Sequence, residues 1–179
     1  MTSTAEIYGN SLYALAEEDN IANTVLSEIH AVDEIIRANP DYMRILREPS
    51  IAKTDRLKLI DDAFSGKIHV YLLNFLKILC ENGIVNEFPA CAKQFTRKYN
   101  EANGISEAYV TSALELSDDQ KDALRKKLEA ISGRKIILIE KTDKDMVAGI
   151  KVELDGKQFD GTVSGRIKTI RKRVSDIIV

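Results

Sequence analysis

Residues 150–160 read Ile-Lys-Val-Glu-Leu-Asp-Gly-Lys-Gln-Phe-Asp, and this short run leaves little choice of structure. Ile150, Val152 and Leu154 alternate with Lys151 and Glu153, the period of a half-buried strand. Asp155-Gly156 then supplies the two residues of positive φ that a type I′ turn requires. A two-residue turn fixes the register: Leu154 faces Lys157, Glu153 faces Gln158, Val152 faces Phe159 and Lys151 faces Asp160. An apolar pair thus falls on one face and an opposite-charge pair on the other. Gly161 and Thr162 break the strand, and Thr162 is placed to cap a following helix. The stretch from Asp143 to Arg173 therefore reads as a hairpin feeding a basic amphipathic helix, a platform for a partner.

Upstream the period changes from two to 3.6. Ser3-Thr4-Ala5-Glu6 has the capping-box pattern and opens a helix carrying Tyr8, Leu12 and Leu15 on one face with Ser11 between them. Asp19 or Asn20 is the expected cap of a second helix, with Val25, Ile29, Val32 and Ile36 inward, ended by Asn39-Pro40. A short helix starts at Asp41 and stops before Pro49, and a fourth runs from about Ala52 to Phe64. The fifth, near His69–Cys80, is apolar around most of its circumference, as suits the centre of a bundle or the wall of a groove. The sixth carries Phe88, Cys91, Phe95 and Tyr99 and ends at Asn103-Gly104. Six helices with short connections predict an N-terminal six-helix bundle over residues 1–104, long enough to bury its own core.

From Ile105 onward strand and helix alternate. Residues 105–112 are strand-like, and Ser117-Asp118-Asp119-Gln120 is a second capping box opening a helix with Leu124, Leu128 and Ile131 inward. Lys135–Lys141 is a continuous apolar run that predicts a central strand covered on both faces. With the hairpin and final helix the order is β-α-β-β-β-α, so residues 105–179 should form a small α/β domain with a mixed sheet and two helices. The fold class expected for the whole chain is α+β.

Composition excludes several functions. No run approaches the roughly 18 apolar residues of a membrane span. MTSTAEIYGN lacks the basic start and apolar core of a signal peptide, which predicts a cytosolic chain. Cys80 and Cys91 sit at apolar helix positions and are expected as buried thiols rather than a disulfide. The net charge is −2, yet residues 1–104 carry −4 and residues 105–179 carry +2. Thr162–Val179 alone holds five bases against Asp176. This gradient suggests two different interaction surfaces.

No catalytic constellation is legible. His30 and His69 are the only histidines, each in a predicted helix, and no Asp-His-Ser or Asp-His-Cys grouping accompanies them. Asp143 and Asp145 lack the His or Cys partners of a transition-metal site. Gly161-Thr-Val-Ser-Gly165-Arg166 lacks the spacer and Lys-Ser/Thr ending of a phosphate loop. No cofactor, metal or small-molecule substrate is expected. The last helix, with Val163, Ile167, Ile170, Val174 and Ile177 as an apolar stripe, has two readings. It packs on the sheet and docks an acidic helical partner, or it is the nucleic-acid surface of an adaptor, without the aromatics that usually interleave such bases.

Taken together, several landmarks resemble the delta subunit of bacterial ATP synthase, which is similar to the mitochondrial oligomycin-sensitivity-conferring protein. They are Tyr8-Gly9-Asn10-Ser11-Leu12-Tyr13-Ala14-Leu15-Ala16, Pro49-Ser50-Ile51 with Lys53 and Leu57, and Asn74-Phe75-Leu76 leading to Glu81-Asn82-Gly83. Val110-Thr111-Ser112-Ala113-Leu114-Glu115-Leu116-Ser117 resembles the family's crossing into its second domain. Asp143, Ala148-Gly149-Ile150 and Phe159 to Ile167 resemble its C-terminal signature. The chain departs from the pattern at Ala148, where the family often has glycine, and at Ile84, where it often has arginine.

The resemblance implies a non-catalytic stator subunit that links the catalytic head to the peripheral stalk, so that proton or sodium flow is coupled to ATP synthesis. It implies that the helical domain binds N-terminal segments of the alpha subunits between its first and fifth helices, at Tyr8, Ser11, Leu15, Asn74 and Ile78. It implies that the C-terminal domain holds the b subunits of the stalk, with Arg166 and Arg171 as contacts. The subunit would lie peripherally at the cytoplasmic face of the cell membrane, inserting nothing into it and binding no nucleic acid.

Overall fold

The computed structural model describes residues 3–146 and 148–161. The predicted final helix, with Thr162 as its cap and Arg166 and Arg171 on its surface, lies outside the described residues. The chain is mixed α+β and divides after Ala102 into two compact units.

The first unit holds α1 (Thr4–Glu18), α2 (Ala22–Ala38), α3 (Pro40–Arg47), α4 (Lys53–Phe64), α5 (Val70–Glu81), a 3-10 turn at Val85–Glu87, and α6 (Phe88–Ala102). One apolar core runs through it, in which Val25, Ile29, Ile60, Leu72, Leu79, Phe88 and Phe95 are fully buried. Each such large side chain contributes about 1.5–3 kcal/mol relative to exposure. The capping box of α1 forms in both directions: Ser3 Oγ accepts from Glu6 N, and Glu6 Oε2 accepts from Ser3 N. The start of α2 corrects the sequence reading. Its N-cap is Ile21, with no side-chain cap, because Asn20 turns left-handed at φ 57° and Asp19 instead caps the C-terminus of α1. Proline occupies the first turn of α3, where its missing N–H costs nothing, so the helix begins at Pro40 rather than Asp41.

The second unit holds β1 (Ile105–Ser112), α7 (Asp118–Ser132), β2 (Lys135–Thr142), β3 (Ile150–Leu154) and β4 (Lys157–Asp160). The sheet order is β2-β1-β3-β4, with β1 parallel to β2 and antiparallel to β3. The parallel pair needs a crossover, and α7 supplies it. Its Leu124 and Leu128 pack with Ala108, Val110, Ile136 and Leu138, the even positions of β1 and β2. The hairpin forms in the expected register, Lys151 to Asp160 through Leu154 to Lys157, with Asp155 at φ 49° and Gly156 at φ 75°.

Two expectations fail here. β2 lies at the sheet edge rather than the centre, because its parallel crossover spends one side of β1 and the antiparallel hairpin takes the other. Ile131 is 69% exposed rather than inward. It falls in the last turn of α7, where Gly133 at φ 69° ends the helix.

Candidate partner-binding site

Helix α1 is built to be held on two flanks. Ala5, Gly9, Leu12 and Ala16 are buried at spacings of four, three and four, and small residues at three of these positions let another helix come close. That helix is α6. A Cβ placed on Gly9 would lie 2.7 Å from the Cys91 carbonyl oxygen and 2.8 Å from Gln94 Cβ. Beside it Gln94 Nε2 donates to Asn10 Oδ1 at 2.7 Å, and the Tyr13 ring meets Phe95 edge-on at 5.5 Å. Burial and the hydrogen bond to Glu17 push the Tyr13 phenol up to about 12.

The other flank meets α5. Tyr8 packs edge-on against Phe75, with centroids 6.4 Å apart, and its hydroxyl accepts from Asn82 Nδ2 at 3.2 Å. At the far end the Tyr71 hydroxyl donates to Asp19 Oδ2. The start of α1 therefore sits by the end of α5 and its end by the start of α5, an antiparallel pair clamped at both ends. Lys77 pairs with Asp61 and Lys53 with Glu81, which tie α5 to α4 from behind. The start of α5 is capped by His69, whose Nδ1 accepts from Tyr71 N at 3.2 Å.

The residues singled out in the sequence fall around this pair. Ser11 and Leu15 are exposed on α1, one turn apart, and Asn74 and Ile78 are exposed on α5, also one turn apart. Tyr8 is half-buried, with its ring filling the floor against Phe75. Leu15 at 49% and Ile78 at 44% exposure are apolar elements of this surface, and Ile7 and Val70, one turn before Ser11 and Asn74, are exposed with them. Ser11 Oγ donates to Ile7 O at 2.8 Å, which satisfies the hydroxyl within its own helix. Such a surface suits an apolar helical stripe, the helix-in-groove mode of recognition.

The clamps at the two ends, Tyr8–Asn82 and Tyr71–Asp19, were not legible beforehand. They join residues 74 and 52 positions apart, and Asp19 looked like a helix cap. Two other residues weighed for chemistry, His69 and Asp143, have structural roles. His30 is exposed, and Asp143 Oδ1 accepts from Asp145 N at 3.0 Å to close a tight turn. Arg166 and Arg171 lie outside the described residues. No described helix is long and apolar enough to cross a membrane.

Comparison with known proteins gives a consistent result. The family described as ATP synthase delta (OSCP) subunit matches residues 4–174. The chain is 28% identical over 165 residues to ATP synthase subunit delta of Clostridium kluyveri, covering 92% of this chain and 91% of that protein. It is 29% identical over 171 residues to the subunit delta of Prochlorococcus marinus, covering 95% of each. The fold is similar, with TM-score 0.76 and 13% identity, to a chain of the mitochondrial ATP synthase hexamer of Toxoplasma gondii, over 96% of this chain and 97% of that one. The nucleic-acid reading finds no support in any of these relatives.

Proposed function

The chain belongs to the ATP synthase delta (OSCP) subunit family, and on that premise we propose how its two units divide the work. It is a non-catalytic stator subunit, part of the stalk that keeps the catalytic head from turning with the rotor. A part that resists torque needs rigid elements and extended contacts rather than reactive groups. In our reading residues 1–104 act as a six-helix bundle on the catalytic head, and N-terminal segments of the alpha subunits lie between α1 and α5. Tyr8, Ser11, Leu15, Asn74 and Ile78 line that seat. Residues 105–179 hold the b subunits of the peripheral stalk, with Arg166 and Arg171 among the contacts. The subunit then sits peripherally at the cytoplasmic face of the cell membrane.

The observation that carries this reading is the antiparallel α1–α5 pair, clamped at both ends, with Leu15 and Ile78 left in solvent. The test is calorimetric titration of the full chain with a synthetic peptide of its own organism's alpha-subunit N-terminus. Leu15→Asp and Ile78→Asp should each weaken binding at least about tenfold, the scale of a lost apolar anchor. Wild-type protein that ignores the peptide would end the proposal.

A further inference from the structure

Helices α1 and α5 carry one pattern, in which each α1 position is matched by the α5 position 63 residues on. Tyr8 answers to Tyr71, Leu15 to Ile78 and Asp19 to Asn82. The helix ends match in backbone detail. The N–H of Asp19 donates to Glu17 O and Leu15 O, and that of Asn82 to Cys80 O and Ile78 O. Asn20 and Gly83 then turn left-handed, at φ 57° and 70°. Ile21 N and Ile84 N donate back across those turns to Ala16 O and Leu79 O. Because α1 and α5 run antiparallel, this equivalence relates them by a pseudo-two-fold axis through the middle of the seat. The clamps obey it: Tyr71 bonds Asp19 at one end and Tyr8 bonds Asn82 at the other. The axis carries the exposed row Ile7, Ser11, Leu15 onto the exposed row Val70, Asn74, Ile78, so both rows face the same side. A helix laid between them meets the same apolar and polar groups whichever way it points.

Direction must therefore come from where the equivalence breaks, and it breaks in charge at the clamps. Asp19 is a carboxylate, whereas its counterpart Asn82 is neutral. At the Asp19–Tyr71 end Glu17 and Glu18 are exposed beside Asp19, against Lys67. At the Tyr8–Asn82 end the acids are engaged: Glu81 pairs with Lys53 at 3.5 Å, and Glu6 closes the capping box of its own helix. The Asp19–Tyr71 end is the more negative of the two. A helix carries about half a positive charge at its N-terminus and half a negative charge at its C-terminus. We infer that Asp19 sets the polarity of the partner: the amphipathic helix in the seat starts at the Asp19–Tyr71 end and finishes at the Tyr8–Asn82 end, antiparallel to α1 and parallel to α5. This polarity rests on the proposal that an alpha-subunit N-terminal segment fills the seat, and it describes that segment further. Its apolar stripe covers the eight-residue span from Ile7 to Leu15, about 12 Å. Its first turn lacks carboxylates, which would meet Glu18 and Asp19.

The experiment binds the alpha-subunit N-terminal peptide, with a nitroxide at its N-terminus, to the isotopically labelled full chain and reads broadening of amide signals. In wild type, Val70 and Tyr71 are expected to broaden more than Ile7 and Tyr8, by a margin that narrows as salt rises. The exchange Asp19→Asn/Asn82→Asp moves the charge and keeps both clamps, since either side chain accepts from a tyrosine hydroxyl. In it the stronger broadening should cross to Ile7 and Tyr8. Asp19→Asn alone should broaden both ends and weaken binding about two- to fivefold. Circular dichroism melting checks that each variant is folded, and wild type with Asp19→Asn decides the matter if the exchange does not fold. Stronger broadening at Ile7 and Tyr8 in wild type overturns the inference and leaves the seat standing. So does a folded exchange variant that keeps the wild-type pattern or loses the peptide. A peptide that wild type does not bind, or binds without broadening either end, overturns the seat itself. Binding that appears only when 162–179 is deleted, or only as a dimer of the chain dissociates, gives the seat to the chain's own end or to a second copy and overturns both.

Discussion

Glycine in a helix interior costs about 1 kcal/mol relative to alanine, so Gly9 needs a reason. The reason is α6, whose Cys91 carbonyl oxygen would lie 2.7 Å from an added Cβ. The obstacle is backbone, which gives way only if the helices separate. Gly9→Ala gains about 1 kcal/mol in propensity and loses about 1–3 kcal/mol to overpacking. A net loss of about 1 kcal/mol is expected in urea unfolding, opposite in sign to a surface glycine. The two cysteines follow from burial in the same way. Burial pushes the Cys91 thiol up to about 11 and raises Cys80 as well. Both should therefore resist a thiol reagent at pH 8 in the folded chain and react at once in denaturant. The folded state holds the Cys91 proton more tightly than the unfolded chain, so this contribution is complete below about pH 8.5 and is lost as pH climbs toward about 11. The melting temperature should fall across that window, and less so in Cys91→Ala when each is compared with its own value at pH 7. The spacing of Phe88, Cys91 and Phe95 made the burial of Cys91 legible in the sequence. Nothing local announced the Tyr71–Asp19 bond, because its partners meet only once α1 and α5 pair.

Where residues specify an element by themselves, that element was readable from the chain. The β3–β4 turn is such a case: Asp155-Gly156 fixes the backbone, the backbone fixes the register, and all four cross-strand pairs follow. The capping boxes at Ser3 and Ser117 are another, each closed by the third residue of its helix, Glu6 and Gln120. Elements set by competition were misread. Asp19 and Asn20 suit a cap for α2, but Asp19 ends α1 and Asn20 adopts the left-handed turn between the helices. The apolar run of β2 suggests a central, covered strand, yet β2 lies at the edge with Ile137 and Ile139 exposed, since strand order depends on the crossover and the hairpin together. The turn offers a clean measurement. Space around Gly156 is open, so Gly156→Ala meets no clash and pays only for φ 75°, about 1 kcal/mol. Unfolding of the second unit, followed by amide exchange along β3 and β4, should shift by that amount, whereas Asp155→Asn should be nearly silent because asparagine tolerates the left-handed region equally well.

At the scale of the molecule, the decisive property is that each unit has a core of its own. The first buries twenty apolar side chains in one cluster, and the second has a separate cluster of Ala108, Val110, Leu116, Leu128, Ile136, Val152 and Leu154. A chain of about 100 residues with a continuous core is large enough to fold alone. We therefore expect residues 1–104, expressed by themselves, to be helical, to melt cooperatively, and to bind the alpha-subunit peptide within about threefold of the full chain, since every residue of the α1–α5 seat lies within that fragment. Calorimetry of the full chain should resolve two transitions, and Gly9→Ala and Gly156→Ala should each move a different one. If both substitutions shift a single transition together, the units unfold as one and the division of labour between head and stalk cannot be assigned to them separately. The contrast in core size also fixes an order. Among the described residues the second unit buries seven apolar side chains against twenty in the first, so we expect it to be the weaker of the two. Its transition should be the lower one, and adding the b subunit should raise it while leaving the upper transition in place, because a ligand stabilises only the part whose folded form it binds.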